Sequence, residues 1–289
     1  MRYVKSLLAA SSRLGRALAE LFGTLVKLCV GTPQTRQRRN NDYQNNSSNS
    51  KYPSADAKAV AHVLSSILVN GFSHENILPT PLPKLKLTFL ICSVGFTGPM
   101  LFDDKRSSFH LMISEFCAEN GLKAFFDMFF WALSLNSDLP KCSFEECITS
   151  ENVLMNRDDD TRDFVEGTGE FLDAWLQLLE KMINPKAILD SPYALCNKAG
   201  NNAIQLIEFE PLFYLIQMHQ LALQAIRRIW KKKPIINYGV SMTETIMEIV
   251  KHIIKNYNVL HEKYELRLNE IRHEKTQKNK SLLSLDEGK

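Results

Sequence analysis

Acidic residues form the densest group of side chains that could carry chemistry in this 289-residue chain. They precede and begin one predicted helix, at Asp158, Asp159, Asp160, Asp163, Glu166 and Glu170. Carboxylates could bind Ca²⁺ or Mg²⁺, but a calcium loop needs ligands at alternating positions, a central glycine and a closing glutamate. Acids at a helix start also stabilise the helix dipole, by about 0.3–1 kcal/mol each. The pattern therefore favours an acidic helix start over a metal site, and no metal is expected.

Two glycines at the same place suggest a phosphate loop. A dinucleotide fingerprint needs a third glycine after a strand, and a P-loop needs Gly-Lys followed by Ser or Thr. Neither pattern surrounds Gly167 and Gly169. We therefore expect no nucleotide or other cofactor, and no small-molecule substrate.

The sequence also contains no recognised motif for nucleophilic catalysis. The chain has seven histidines and six cysteines, with no G-x-S-x-G, C-x-x-C or H-E-x-x-H pattern. Cys142 and Cys147 lack partners at zinc-site spacing. His110 and Cys117 could share one helix, but about two turns would separate them. No catalytic residue is predicted, and both are interpreted as packing residues.

Basic residues form two clusters that could contact phosphates. The first is Arg36, Arg38 and Arg39, and the second runs from Arg227 to Lys233. Lys and Arg near a helix C-terminus are favoured by the dipole, so the second cluster needs no ligand. The first could be a nuclear-localisation or phosphate-contact element.

Most of the sequence segments around these residues have the periodicity of an α-helix. Apolar residues recur at steps of three and four in the first helix, at Leu14, Leu18, Leu21, Leu25 and Leu28. Further helices are predicted up to residue 258, with one ending at Gly95 and a pair hinged at Asn120-Gly121. No segment alternates long enough to predict a strand. We expect an all-α fold, either an armadillo/HEAT-like helical solenoid or an irregular helical bundle.

Four regions are predicted along the chain. Residues 1–31 form an N-terminal helical segment, and residues 32–55, rich in Asn, Ser and Arg, a disordered linker or loop. Residues 56–258 form a helical-repeat domain, and residues 259–289 a tail that passes from helical to disordered.

The helix after the acidic residues has two predicted faces. Its buried stripe consists of Phe171, Trp175, Leu178, Leu179 and Met182, and Pro185 ends it. The opposite, wet face consists of Asp173, Gln177, Glu180 and Lys181. This wet face is the predicted site for contact with a partner.

Four blocks of sequence resemble the N-terminal helical-repeat region of the giant HECT-type E3 ubiquitin ligases that also carry UBA and WWE domains. The blocks are SSRLGRALAELFGTLVKLCVGTP (11–33), LTFLICSVGFTGPMLFDDKRSSFHLMISEF (87–116), GTGEFLDAWLQLLEKMINP (167–185) and KKKPIINYG (231–239). The resemblance runs in order over nearly the whole chain, with departures at 40–55 and 138–163.

The resemblance implies an armadillo-like scaffold segment that presents substrates to a distant HECT domain. That domain supplies the thioester-forming cysteine, so none of the six cysteines here inherits its role. The implied partners are other segments of the same ligase and protein substrates, with no membrane, in the cytoplasm and/or nucleus. The alternative hypothesis is a small basic helical protein that binds nucleic acid. Nucleic acid is less favoured as a partner than protein.

Overall fold

A computed structural model describes residues 2–31, 53–72, 83–135, 165–195, 209–230 and 240–286. Across these residues the chain forms helices and two isolated β-bridges, without a strand. The predicted all-α fold is confirmed. The helices are α1 (Arg2–Val30), α2 (Ala55–Phe72), α3 (Pro83–Leu101), α4 (His110–Ala118), α5 (Gly121–Ser134), α6 (Thr168–Met182), α7 (Pro185–Leu189), α8 (Pro211–Trp230) and α9 (Val240–Asp286).

The most extensive helix packing joins helices that are not adjacent in sequence, α3 with α6 and α2 with α4. Helix α2 contacts α1, α3, α4 and α5, and α6 contacts α3, α5, α8 and α9. Helices α8 and α9 also pack against each other. This arrangement is bundle-like or solenoid-like, and a regular armadillo or HEAT repeat stays a prediction. None of the described helices has the length and apolar character required to cross a membrane.

Helix α3 passes the point where the sequence predicts its end. It continues through Gly95 and contains Pro99 in its last turn. A glycine inside a helix costs only about 1 kcal/mol relative to alanine. Continuing the helix buries Met100 and Leu101, and full burial of such a side chain is worth about 1.5–3 kcal/mol. Tertiary burial therefore outweighs the local preference to stop.

One other predicted helix boundary also moves. Asn184 caps α7, since its side-chain oxygen accepts hydrogen bonds from the backbone N–H groups of Lys186 and Ala187. Pro185 thus begins a new helix, whereas α6 already ends at Met182. Helix α9 includes residue 258, and the predicted division of the chain into regions there stays a prediction. The predicted linker at 32–55 lies outside the described residues except at its last positions.

The centre of the core is an aromatic stack around Trp175. The indole stacks with both Phe125 and Phe129, with ring centroids 4.8 and 4.2 Å away. Its Nε1–H donates a hydrogen bond to the backbone carbonyl of Phe125 at 2.9 Å. All three residues are fully buried. Helices α5 and α6 are therefore joined by apolar contact and by one directional bond.

The turn between α4 and α5 confirms the predicted hinge and changes its explanation. Asn120, rather than Gly121, adopts the left-handed conformation, with φ of 60°. Gly121 is needed for space, because a Cβ atom there would lie 2.5 Å from the ring of Phe116. The glycine lets α5 start directly against the buried end of α4.

Candidate contact surface

The head of α6 is a helix start with one ion pair. Gly167 precedes the helix in the left-handed conformation, with φ of 94°. Glu166 forms an ion pair with Lys84 of α3, and both side chains are exposed. Exposed pairs of this kind contribute at most about 1 kcal/mol. In the part of the chain that the structure describes, no group of three or more His, Cys, Asp or Glu could hold a metal ion.

The acids from Asp158 to Asp163 lie outside the described residues. Glu170 lies in the first turn of α6 and is exposed. This position agrees with the predicted role of an acid that stabilises the helix dipole.

The predicted buried stripe of α6 is confirmed and is wider than the sequence indicates. All five of its residues are at most 3% exposed, and Leu172 and Leu176 are buried as well. Helix α6 has neighbours on several sides, since α3, α5, α8 and α9 all contact it. The polar face is therefore narrower than a helix lying on a surface would present.

Within the polar face, Asp173 and Gln177 interact with each other. The side-chain amide of Gln177 donates a hydrogen bond to Asp173 Oδ2 at 2.9 Å. Gln177 is exposed, whereas Asp173 is half-buried and its Oδ1 is buried with no hydrogen-bond partner among the described residues. A buried carboxylate oxygen without a donor lowers stability.

The other two members of the face are directed toward neighbouring helices. Glu180 Oε1 lies 3.6 Å from Nε2 of His252 on α9, and the two side chains are 19% and 27% exposed. The ammonium of Lys181 lies next to Gly98 of α3, 3.9 Å from the position of an added Cβ. Gln177 is thus the exposed member of the four. Partner binding through this face stays a prediction.

Two buried histidines hold the corner between α6 and α7. His110 of α4 donates through Nε2 to the carbonyl of Ile188 at 2.8 Å. His219 of α8 donates in the same way to the carbonyl of Ile183 at 2.9 Å. Both carbonyls lie near the C-terminal ends of these helices, where backbone acceptors lack intrahelical partners.

Burial lowers the pKa of both histidines. For His110 the hydrogen bond to the Ile188 carbonyl partly offsets the effect of burial on the pKa. For His219 the bond to Ile183 does the same, while the nearby His252 lowers the pKa further. Neutral rings that donate one N–H are suited to join helices. No spacing in the sequence signals these two pairings, which lie 78 and 36 residues apart.

Among the described cysteines, Cys29 is buried and Cys117 is half-buried. Burial raises the pKa of Cys117 to about 12, and burial also raises the pKa of Cys29. The hydroxyl of Tyr214 is fully buried, and burial together with Cys117 raises its pKa well above the usual value. A protonated thiol is a poor nucleophile. The interpretation of His110 and Cys117 as packing residues agrees with these positions.

The basic clusters are only partly within the described residues. Arg36, Arg38 and Arg39 lie outside them, as do Lys231 to Lys233. Arg227 is exposed in the last turn of α8, and the guanidinium of Arg228 lies over the ring of Phe130, 6.0 Å from its centroid. Arg228 is therefore engaged in a contact within the fold.

Comparison with known proteins reveals extensive similarity, although no family model matches the chain. Over 263 residues, 91% of the chain, the sequence is 41% identical to the E3 ubiquitin-protein ligase HUWE1 of Mus musculus. The chain is similar to one region of this ligase. The E3 ubiquitin-protein ligase HUWE1 of Rattus norvegicus matches with the same identity over the same length. The resemblance to the ligase family is confirmed.

The matched region is a small part of these relatives. The chain spans about 6% of the length of the two HUWE1 ligases. The match covers 91% of the chain, so most of the described helical residues belong to the compared region.

Proposed function

We propose that this chain is a non-catalytic helical scaffold of a HECT-type E3 ubiquitin ligase, which binds protein substrates or other segments of that ligase. The observation that carries the proposal is the 41% identity to the HUWE1 ligases over 91% of the chain. The proposed location is the cytoplasm and/or the nucleus, where such a scaffold would meet its substrates.

The internal packing supports a scaffold. Buried aromatic residues join α5 and α6, and two histidine side chains join α4 and α8 to the α6–α7 corner. A rigid arrangement of helices presents its exposed side chains in fixed relative positions, which lowers the entropic cost of binding a partner. Among the predicted contact residues, Gln177 is so presented.

A competition experiment tests the scaffold function. The purified chain is added in excess to a ubiquitination reaction of the full-length mouse HUWE1 ligase with a protein substrate. If the chain binds that substrate, substrate ubiquitination falls, whereas autoubiquitination of the ligase is unchanged. Gln177→Arg should weaken the inhibition, and Lys255→Glu, at an exposed position on α9, serves as the matched control. Substrate binding would be contradicted if a saturating concentration of the chain left the ubiquitination of all the ligase's substrates unchanged.

The non-catalytic part has a separate test. The chain is incubated with a ubiquitin-charged E2 enzyme and analysed on non-reducing gels. We expect no reductant-sensitive ubiquitin adduct on the chain, and such an adduct would refute this part of the proposal. Retardation of DNA or RNA that decreases steeply between low and physiological salt would instead favour the nucleic-acid alternative.

A further inference from the structure

Two ion pairs of nearly identical geometry join α9 to other parts of the fold. Nε2 of His252 lies 3.6 Å from Oε1 of Glu180 on α6. Nε of Arg267 lies 3.6 Å from Oε2 of Glu210, the residue that precedes α8. The side chains are 27% and 19% exposed in the first pair, and 26% and 18% exposed in the second. The two pairs therefore differ mainly in the base that each contains.

The two bases give the pairs a different dependence on pH. An arginine side chain stays protonated across the physiological pH range, whereas histidine is the side chain that ordinarily changes its charge between pH 5 and 8. The ion pair of Glu180 with His252 therefore exists only while the imidazole is protonated. Because this imidazole is partly exposed, it can exchange protons with water. One attachment of α9 is thus permanent, and the other depends on a proton.

Other charged groups lie close to His252 and Glu180. Within four positions of the two residues they are Lys181 on α6 and Glu248, Lys251 and Lys255 on α9. The side chain of Lys181 extends toward α3. A hydrogen bond from Lys251 lowers the pKa of Glu248, and the charge of His252 does so to a smaller extent. Since Glu248 belongs to α9 itself, the contact of His252 with Glu180 is the one that joins two helices.

A second histidine at this junction stays neutral. His219 of α8 is buried, and its Nε2 lies 2.9 Å from the backbone carbonyl oxygen of Ile183. Burial lowers the pKa of His219, and the positive charge of the nearby His252 lowers it further. A proton on the exposed ring therefore disfavours a proton on the buried one. The junction takes up one proton, and it does so at His252.

We propose that His252 and Glu180 form a proton-dependent latch, which tightens the contact between α9 and α6 when the pH falls. The buried side chains of Ile246, Ile249 and Ile253 keep α9 packed at every pH, so the latch changes how often this part of α9 opens. A partly exposed ion pair changes such an equilibrium constant by up to about fivefold. This proposal does not depend on the ligase function.

Double-mutant cycles at two pH values test the latch. The variants are His252→Gln, Glu180→Gln and the two together, and urea unfolding of the full chain is the measurement. The coupling between the two positions should change the unfolding equilibrium constant by about three- to fivefold at about pH 5.5 and by less than about 1.5-fold at about pH 8. The cycle cancels the separate effects of other titrating groups, including His110 and His219.

The pair of Glu210 with Arg267 provides the matched control. A cycle of Glu210→Gln and Arg267→Gln removes a carboxylate and a base at the same distance and with the same exposure. Arg267 also pairs with Glu270, but that contact is lost equally in both arms of the cycle and cancels. Because arginine keeps its charge, the coupling in this control should be the same at both pH values.

Hydrogen exchange gives a local measurement of the same effect. At about pH 5.5, Glu180→Gln should speed exchange of the backbone amides around Ile253 by up to about fivefold relative to the wild type, and at about pH 8 the two rates should agree. No coupling at the lower pH would overturn the proposal, as would a coupling of equal size at both pH values. A control pair whose coupling decreases equally at the higher pH would overturn it too, because the pH effect would then not arise from His252.

Discussion

Replacing Trp175 tests whether the α5–α6 aromatic stack is the centre of the fold. Phenylalanine at this position keeps one ring that can stack with Phe125 and Phe129 but removes the indole N–H and the second ring. The lost hydrogen bond to the Phe125 carbonyl contributes about 1 kcal/mol. The missing ring leaves a cavity that adds about 1–2 kcal/mol. Trp175→Phe should therefore lower the free energy of unfolding by about 2–3 kcal/mol.

Urea unfolding followed by circular dichroism at 222 nm measures this change. Trp175→Ala removes all ring contacts and should lower the free energy of unfolding by about 3–5 kcal/mol. If the alanine variant does not fold, the phenylalanine variant can still be measured. Trp230→Phe is the control, because Trp230 is 50% exposed and its replacement should change stability by less than about 0.5 kcal/mol. A cost for Trp175→Phe no larger than that of Trp230→Phe would refute the reasoning.

Three further predictions concern a glycine, two histidines and two cysteines. In the same urea assay, Gly121→Ala should lower the free energy of unfolding by about 1–3 kcal/mol, because the added Cβ would meet the Phe116 ring. Gly95→Ala should raise the free energy of unfolding by about 0.5–1 kcal/mol, because the position has open space. Changes of the same sign in the two variants would contradict the packing argument. His110 and His219 have lowered pKa values in the folded chain, so at acidic pH the unfolded chain binds more protons than the folded one. The stability that they contribute is therefore complete above about pH 6.5 and is lost as the pH falls below that value. Urea midpoints should therefore fall from about pH 7 to pH 5, and His219→Gln should reduce that slope; an identical slope would exclude this residue as a cause. Maleimide labelling with peptide mapping should modify the exposed Cys92 rapidly and Cys117 only on unfolding, and equal rates in the native protein would show that Cys117 is accessible.

The helices could be predicted because their signal is local. Steps of three and four in apolar residues mark α1, α2 and α8, and Pro211 begins α8 as expected for a first-turn proline. The buried stripe of α6 follows from the same periodicity. Glycine and proline mark breaks less reliably, since α3 continues through Gly95 where burial of later residues compensates.

The sequence could assign the predicted contact face to α6, but it could not show which residues of that face are exposed. The sequence puts Asp173, Gln177, Glu180 and Lys181 on one side of the helix, and that is where they lie. Their exposure depends on α3 and α9, which are distant in sequence and pack against α6. Glu180 consequently lies beside His252, a proximity that no local pattern can signal.

The sequence by itself determined that this chain is helical, because a period of 3.6 residues is a property of each segment alone. It also determined the resemblance to the ligases, because identity accumulates residue by residue. Only the tertiary structure decided which apolar face of each helix is covered. In α1 the packing buries Val26 and Cys29 and leaves Leu14 and Leu28 open. Burial arises from contacts between segments far apart in the chain, and these contacts exist only once the helices have assembled.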